Sequence, residues 1–544
     1  MPDLHSLARL PRRALTELDA VRQLAKAGII RPESPVHLAA KALALRQFGP
    51  VGGGLAGAAI SYPDRTGLVD ERGSLSYTEL DQRSTALANA WRDRGIAEGA
   101  RVGILCRNHR GAVDITMACA KVGARALFLN TDFSGPQATD VCAREGVEAL
   151  AYDEEFSFTL DGIPAPLGRY LAWTDSGAAP DGTELVDDLA GSGTARLVRP
   201  PSRHGSLVLL TSGTTGTPKG APRPQPRGLS LPGGVLSKIP FRSGGSIYVA
   251  PPMFHAWGLF TSVVTLATGA TMVTRRRFDP KVFLDDLETH RVAAAVVVPV
   301  MLKRVLALGD DAIESRRFPE LRIIASSGAQ LEAAVATRVL DLFGEVLYNL
   351  YGSTECAYAT IATPEDLRAA PGCAGRAPFG TVVKILDPAG RPLPAGRTGR
   401  IFIDSPAKFG GYTGGGDKER IGDLMSSGDV GHLDEAGRLW VEGRDDDMIV
   451  SGGENVFPQE VEELLTGHPD IADVAVIGVD DEEFGKALRA FVVRAAGAAL
   501  SEDDVRQYVK DNLARFKVPR SAVFLDELPR NPTGKVLKRK LAEL

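Results

Sequence analysis

The sequence predicts an α/β protein with a large N-terminal domain of doubly wound sheets and a small β-rich subdomain, followed by an α+β C-terminal domain. Strand and helix patterns alternate from Leu75 to Tyr152, which is typical of parallel sheets covered by helices on both faces. After Thr381 the pattern changes to short β-like runs separated by Gly and Pro. A charged break at 443–447 then precedes roughly a hundred residues of mixed pattern, an ordinary domain size.

Periodicity and capping predict the individual elements. Ser76 and Glu79 have the spacing of a capping box, and an apolar stripe follows them up to Gly95. Apolar runs and amphipathic stretches predict strands over 102–105, 126–129, 149–152, 292–299 and 321–326, and helices over 112–122 and 135–145. In the last domain we expect a helix over 458–465, a strand over 473–479 and a helix over 501–516 capped by Ser501 and Asp504. Ligands of such sheets bind at the carboxyl ends of strands, so the loops there are the candidates.

Composition excludes several classes of function. Hydrophobic residues make up 44% and charged residues 24% of the 544 positions, as in a soluble globular protein, and the net charge of −5 argues against a nucleic-acid binder. Five cysteines without a C-x-x-C pair suit a reducing cytoplasm and offer no zinc site. No leader sequence is expected. The uncharged stretch 254–274 contains Gly, Thr and His255, so we expect a buried helix and strand there rather than a membrane span.

We expect residues 1–58 to form a helical extension. Leucines recur at helical spacing, and residues 1–50 hold eight Lys/Arg against four Asp/Glu. This basic, amphipathic segment allows weak contact with an anionic membrane surface, but packing on the body of the protein is the interpretation we favour. Gly52–Gly57 reads GGGLAG and fits G-x-G-x-x-G, yet no strand precedes it, so we treat it as a turn-rich run and not as a dinucleotide site.

The stretch 209–220, LLTSGTTGTPKG, has the composition of a phosphate-binding loop. Two apolar residues end a predicted strand, and hydroxyls, glycines and a lysine follow. Glycines let backbone N–H groups turn inward, and Lys219 adds a cation. The spacing is not that of a Walker loop, and the plain alternative is a flexible surface loop. The residues concerned are Thr211, Ser212, Gly213, Thr214, Thr215, Gly216 and Lys219.

Four further clusters follow in order: 349–355 (NLYGSTE), 427–431 (SGDVG), 443–458 (GRDDDMIVSGGENVFP) and 529–540 (PRNPTGKVLKRK). Taken singly, each cluster also has a purely structural interpretation. Asp429 could be a turn residue, Glu355 a helix-capping acid and Lys535 one cation of a solvated basic tail.

Taken together and in this order, the clusters resemble the adenylate-forming superfamily of acyl-CoA synthetases, luciferases and peptide-synthetase adenylation domains. The resemblance covers about residues 60–544 and is strongest to the bacterial fatty acyl-CoA ligase branch. It implies an AMP-binding domain over 59–445, a hinge near Asp446, and a mobile C-terminal lid over 446–544.

The resemblance also implies the roles of residues. The loop 211–219 would hold the ATP β- and γ-phosphates, Tyr351 would stack on adenine, and Asp429 with Arg444 would bind the ribose. Thr354 would contact the α-phosphate, Glu355 would help to hold Mg²⁺, and Lys535 would bridge carboxylate and phosphate oxygens. Also assigned are the adenine-pocket residues Gly328, Ala329, Gln330 and Gly352, His255 beside the acyl carboxylate, and the CoA tunnel residues Ser451, Gly452, Gly453 and Glu454.

The acyl pocket is expected to be apolar. Its predicted walls are residues 257–261, 298–301 and 356–359, windows without a charged side chain. They are represented by Trp257, Gly258, Val298, Met301 and Ala357. This favours an aliphatic or aromatic acid over an amino acid. The prediction is an ATP-, Mg²⁺- and CoA-dependent ligase for a medium- to long-chain fatty acid. The alternatives are transfer to a carrier protein, another carboxylic acid as substrate, and a non-catalytic scaffold, against which the intact Lys219, Glu355, Asp429 and Lys535 argue.

Overall fold

The structure is a computed structural model. It describes residues 4–192, 197–211, 219–222, 229–353, 355–406, 418–445, 449–451, 454–456, 458–481, 485–513, 517–531 and 534–544. The α/β fold class is confirmed, with large sheets in the N-terminal part and a smaller domain at the C-terminus.

Two helices precede the first strand, α1 (Leu4–Lys26) and α2 (Pro35–Ser61). The Oγ atom of Ser34 caps α2 by accepting from the His37 N–H at 3.2 Å, and the helix kinks at Gly49, where φ is +68° before Pro50. Helix α1 packs on α7 (Ser230–Leu236), and α2 packs on α4 and α8, described below. The extension therefore lies on the body, the arrangement that the sequence favoured. The expected turn at Gly52–Gly57 is wrong, because these glycines continue α2.

The first large sheet has seven strands, of which all but the last are parallel. Its order is β7-β6-β5-β3-β4-β8-β9. The elements in this part of the chain are β1 (Thr66–Asp70), β2 (Gly73–Ser76), α3 (Tyr77–Asp93), β3 (Arg101–Leu105), α4 (Arg110–Val122), β4 (Arg125–Phe128), α5 (Gly135–Glu145), β5 (Ala149–Asp153), β6 (Arg169–Trp173), β7 (Thr183–Leu185), α6 (Val186–Gly191), β8 (Ser206–Thr211) and β9 (Lys219–Pro222). Short 3-10 turns at Glu154–Phe156 and Phe158–Leu160 follow β5. Ser76 and Glu79 form the predicted capping box of α3.

The second large sheet has eight strands in the order β15-β14-β13-β12-β10-β11-β1-β2, parallel except for its two edge strands. It is completed by β10 (Ser246–Val249), α8 (Ala256–Ala267), β11 (Thr271–Val273), α9 (Pro280–Thr289), β12 (Val292–Val297), α10 (Pro299–Leu306), α11 (Asp310–Glu314), β13 (Ile323–Ser327), α12 (Ala333–Phe343), β14 (Leu347–Tyr351), β15 (Thr360–Ala362) and α13 (Pro364–Ala369). Parallel strands place their carboxyl ends at one edge, so the loops after β10, β12, β13 and β14 lie together.

The predicted β-rich subdomain is an antiparallel five-stranded sheet. Its strands are β16 (Val382–Leu386), β17 (Gly399–Asp404), β18 (Arg420–Ile421), β19 (Leu424–Leu433) and β20 (Leu439–Arg444). The opposed pair Asp429 and Arg444 lies at the end of the β19–β20 ladder.

The C-terminal domain has its own buried apolar core, which includes Val461, Val476 and Val492. Its elements are β21 (Ile449–Ser451), β22 (Glu454–Val456), α14 (Pro458–Thr466), β23 (Ile471–Asp481), β24 (Gly485–Arg494), α15 (Glu502–Asn512), β25 (Ser521–Phe524) and α16 (Lys538–Leu541). The caps at Ser501 and Asp504 are confirmed, but the helix expected up to 516 ends at Asn512, because Leu513 is extended. The other predicted elements are present, with ends shifted by no more than two residues.

The uncharged stretch 254–274 folds as predicted, into α8 and the short strand β11. Across the part of the chain that the structure describes, no helix has the length and apolar character needed to cross a membrane.

Candidate active site

The turn after β14 places a carboxylate at the edge of the second sheet. A Cβ atom on Gly352 would lie 2.4 Å from the Ala357 carbonyl oxygen, so the turn closes more tightly than a side chain allows. Ala357 itself has a φ of +66°. The Oγ atom of Ser353 accepts from the N–H groups of Glu355 at 3.3 Å and Cys356 at 3.4 Å. Glu355 is thereby held at the site, nine-tenths buried.

A buried acid joins this turn to the β-rich subdomain. The Tyr351 hydroxyl donates to Oδ2 of Asp429, and Nη1 of Arg444 donates to Oδ1 of Asp429 at 3.3 Å. The Asp429 N–H also donates to the Ser427 Oγ at 3.0 Å. Burial raises the pKa of Asp429 and, with the nearby carboxylate, raises the pKa of Tyr351 far above its ordinary value.

The end of β13 forms the neighbouring wall. The Ser327 Oγ donates to the Leu350 carbonyl at 2.8 Å, and Gly328 follows with a φ of +95°. Two buried polar atoms on adjacent strands, Ser326 Oγ and Asn349 Oδ1, have no hydrogen-bond partner among the described residues, and the two residues are neighbours in the strand register. The sequence placed Ser326 at the end of a predicted strand and Asn349 at the start of the cluster 349–355, and gave neither residue a role. A pair of unsatisfied buried oxygens is a place where a ligand or an ordered water would bind.

His255 precedes α8 at the same edge of the sheet. Its Nε2 atom is buried and has no hydrogen-bond partner among the residues described. Burial lowers its pKa to about 4, so the ring is neutral at pH 7. A neutral imidazole can donate or accept one hydrogen bond, but it supplies no positive charge.

The first turn of α8 is fixed against β12. The Trp257 indole N–H donates to the Val297 carbonyl at 3.1 Å. A Cβ atom on Gly258 would lie 2.2 Å from the Pro252 carbonyl oxygen, so only glycine fits there. Val298 and Met301, at the start of α10, are buried beside this turn.

The C-terminal domain meets the N-terminal domain at several described places, among them the bond from the Gln459 side-chain amide on α14 to the Val441 carbonyl on β20 at 3.0 Å. The Gln330 side-chain amide donates to Glu463 on α14 at 2.5 Å. A Cβ atom on Gly534 would lie 2.3 Å from Cγ1 of Val300, so the segment carrying Lys535 packs on α10. Neither of the last two contacts was predicted: no motif marks Glu463, and Val300 was expected only as part of the acyl-pocket wall 298–301.

Two hydrogen bonds and a neighbouring ion pair hold the segment around Lys535 in place. The Asn531 N–H donates to the Lys535 carbonyl at 2.9 Å, and the Lys535 N–H donates to the Asn531 Oδ1 at 2.8 Å. Arg530 forms an ion pair with Asp473 at 2.6 Å. The Lys535 side chain is exposed. These bonds hold an exposed lysine next to α10.

Several predicted site residues lie outside the described residues: Ser212, Gly213, Thr214, Thr215, Gly216, Thr354, Asp446, Gly452 and Gly453. For four more only the backbone is described. Thr211 opposes Lys219 across the β8–β9 pair, and Ser451 opposes Glu454 across β21–β22. The predicted phosphate loop therefore joins two paired strands, and the predicted tunnel residues close a second hairpin.

The cavity between α2 and α8 contains part of one predicted acyl-pocket wall, Leu259, Phe260 and Thr261, but its α2 side was not predicted. It measures about 970 Å³ and is lined mainly by apolar side chains of these helices, α7 and the strands β8, β10 and β12. The predicted acyl-pocket residues Trp257, Gly258, Val298, Met301 and Ala357 are not among its lining. The structure places Trp257 and Gly258 on the buried side of α8, whereas the cavity follows another side of that helix.

The fold and this arrangement define an adenylate-forming enzyme. The model of the AMP-binding enzyme family matches residues 55–413, and that of the AMP-binding enzyme C-terminal domain matches 460–535. The chain belongs to the AMP-binding enzyme family, and it is an acid–thiol ligase of the AMP-forming type, as the sequence predicted.

Three relatives illustrate the range of the family. The chain is 30% identical over 499 residues to the fatty acid–[acyl-carrier-protein] ligase ScoC of Streptomyces coeruleorubidus, covering 88% of this chain and 93% of that one. It is 32% identical over 499 residues to the indoleacetate–CoA ligase of Aromatoleum aromaticum, covering 89% and 94%. The ATP-bound structure of MatB from Rhodopseudomonas palustris superposes with a TM-score of 0.78 at 29% identity, covering 88% and 95%.

Proposed function

We propose that the chain activates a medium- to long-chain fatty acid with ATP and transfers the acyl group to coenzyme A. The observation that carries the proposal is the packing of the Lys535 turn on α10, at the edge of the sheet where Glu355 and His255 also lie. A cation brought there by a separate domain suits a reaction in which two anions must meet.

The first half-reaction needs positioning more than proton transfer. The fatty acid carboxylate attacks the α-phosphorus of ATP, an acyl-adenylate forms and pyrophosphate leaves. Asp429 accepts from the ribose hydroxyls, the Tyr351 ring lies against the adenine, and Lys535 offsets the negative charge of the carboxylate and phosphate oxygens. The buried, neutral His255 offers its Nε2 atom to the acyl carboxylate without adding charge.

Glu355 fits a role in holding Mg²⁺. It is a buried carboxylate fixed by its turn at the strand end, and carboxylate and phosphate oxygens are the ligands that this hard ion prefers. The ion, when bound, neutralises charge on the phosphates. The protein's own part is to hold the carboxylate in place through the N–H groups that Ser353 fixes.

In the second half-reaction a thiol attacks the acyl-adenylate carbonyl, the thioester forms and AMP leaves. We assign the thiol tunnel to Ser451, Gly452, Gly453 and Glu454, and the rotation of the C-terminal domain to the hinge at Asp446. A side chain at Gly453 would fill such a tunnel. The Gln330–Glu463 and Gly534–Val300 contacts are among those that this rotation would break.

A second candidate keeps the fatty acid and replaces CoA with a carrier protein, because the relative ScoC is named for that reaction. ATP–pyrophosphate exchange should be measured with octanoate, palmitate, ferulate, indoleacetate and an amino acid. Thioester formation should then be compared with CoA and with holo-carrier protein. Exchange with the fatty acids and thioester only with CoA supports the proposal. Exchange confined to an aryl acid or an amino acid overturns the substrate class.

A further inference from the structure

The cavity between α2 and α8 has a volume of about 970 Å³. Ligand pockets are typically roughly 300–1,000 Å³. The charged side chains among its lining are Arg31, Lys41 and Arg242. Arg31 and Lys41 both pair with Glu33, at 2.9 and 3.1 Å, and Arg242 is exposed. The remaining lining is largely aliphatic, so the space suits an uncharged hydrocarbon and opposes a charged group.

One stripe of α8 faces this cavity. Its half-exposed members are Ala256, Phe260, Val263, Val264, Ala267 and, just beyond the helix end, Thr268. Their spacing of three and four positions puts them on one face of the helix. The buried Leu259, Thr261 and Thr265 also line the cavity. Other α8 residues, such as Leu266, are buried in the core. The stripe begins at Ala256, directly after His255, so the cavity reaches the residue beside the expected carboxylate site.

The opposite wall comes from the N-terminal extension. Phe48, Val51 and Ala58 of α2 line the cavity, and the exposed Leu38 and Leu45 lie where it opens to solvent. Most of this wall precedes residue 55, where the match to the family model begins.

The glycine run of α2 lets the two walls meet. A Cβ atom on Gly54 would lie 2.8 Å from the Ala267 Cβ, so α2 and α8 are in contact there. The helices therefore enclose the space from one side. This contact accounts for Gly54 within the run GGGLAG.

We propose that the extension over residues 24–58 forms the outer wall of a channel for the aliphatic tail of the acyl substrate. The tail runs from His255 along the α8 stripe towards Leu38 and Leu45. The proposal rests on the proposed function, because it assigns the tail of that same substrate. On this proposal the extension sets the selectivity of the enzyme for acyl chain length. Burial of each additional methylene raises kcat/KM about fourfold, as long as the tail still lies inside the channel.

The test narrows the channel and measures chain-length selectivity. Val264→Trp places a large side chain on the α8 stripe, and Ala42→Trp does so at the exposed opening, where folding should tolerate it. We expect the ratio of kcat/KM for palmitate to that for octanoate, measured by ATP–pyrophosphate exchange, to fall at least tenfold in Val264→Trp. A smaller fall is expected in Ala42→Trp. Ala39→Trp is the matched control, because Ala39 is exposed on the same helix and lies outside the lining; its ratio should equal that of the unmodified protein.

Direct binding of palmitate by calorimetry separates this proposal from the proposed function. Weaker binding in Val264→Trp together with the altered ratio supports the channel. An unchanged ratio in both cavity variants, with normal activation of fatty acids, overturns the channel and leaves the proposed function standing. Palmitate binding that Val264→Trp abolishes in a protein that activates no fatty acid would show a lipid site unconnected with catalysis. That result would overturn both proposals.

Discussion

The Tyr351 hydroxyl donates a hydrogen bond to Asp429, although the two residues belong to different sheets and lie 78 positions apart. Tyr351 ends β14 of the large parallel sheet, whereas Asp429 lies on β19 of the antiparallel subdomain. The bond ties the subdomain to the strand ends where the nucleotide is expected. It also leaves the aromatic ring and the acid side by side, as a base and its ribose would require.

Removing this hydroxyl should weaken ATP use without destroying it. Tyr351→Phe keeps the ring but deprives a buried carboxylate of one donor, and a hydrogen bond to a charged group contributes about 1.5–3 kcal/mol. We expect KM for ATP in pyrophosphate exchange to rise by about ten- to a hundredfold, and Asp429→Ala to have a larger effect. Tyr348→Phe, on the same strand, is the control and should leave KM for ATP unchanged. Equal kinetics in Tyr351→Phe and the unmodified protein would remove this pair from the nucleotide site.

The buried His255 should make stability depend on pH in a defined window. Its pKa is lowered to about 4 in the folded protein, against about 6.5 when unfolded, so the unfolded chain binds the extra proton between these values. Stability is therefore lost as pH falls from 6.5 towards 4, by up to about 3 kcal/mol. In urea unfolding measured across pH 4–7.5, the free energy of unfolding of His255→Gln should not show this loss at low pH. His37→Gln, at an exposed position, should follow the unmodified protein. Parallel pH curves for both variants would show that His255 is not buried in its neutral form.

Local features of the fold could be predicted from the sequence, because they depend on residues that lie close together in the chain. Ser76 with Glu79 and Ser501 with Asp504 cap their helices as predicted, since capping needs only residues three positions apart. The apolar runs that form β12 and β13 were also clear. Gly52–Gly57 was read wrongly as a turn-rich run, because the glycine preference for turns is overridden by the close contact of α2 with α8.

The sequence did not predict how distant segments of the chain contact one another. The site clusters could be listed from motifs, but the Gly534–Val300 and Gln330–Glu463 contacts depend on how two domains dock. The cavity arises in the same way: residues 257–261 of α8 were predicted as an acyl-pocket wall, but the closure of the cavity by α2 is evident only when the two helices are placed together. Periodicity indicates which face of a helix or strand is apolar, but it does not indicate which other element packs against that face.

The two half-reactions should respond to different residues of the C-terminal domain. Lys535→Ala removes the cation that offsets the meeting of carboxylate and phosphate, so acyl-adenylate formation should fall at least a hundredfold. Thioester formation from supplied acyl-adenylate and CoA should be retained. Gly453→Leu should do the reverse by filling the thiol tunnel. Lys510→Ala, an exposed lysine on α15, is the control and should affect neither step. Equal loss of both steps in a folded Lys535→Ala protein would contradict a domain that alternates between two orientations.

The packing of Gly534 on Val300 offers a test that leaves Lys535 in place. Gly534 has a φ of +80°, and a Cβ atom there would lie 2.3 Å from Val300 Cγ1, so Gly534→Ala should both strain the turn and push it off α10. Adenylate formation should then fall at least tenfold, while thioester formation from supplied acyl-adenylate is retained, because only the first step needs this contact. Val300→Ala removes the methyl groups in the way and should partly restore adenylate formation in the double variant. Gly497→Ala separates strain from contact, since Gly497 has nearly the same φ, +82°, with nothing within 4 Å of its Cβ position. It should lose some stability and no activity. If Gly534→Ala and Gly497→Ala behave alike, backbone strain explains the effect and the docking of the turn on α10 has no part in the first half-reaction.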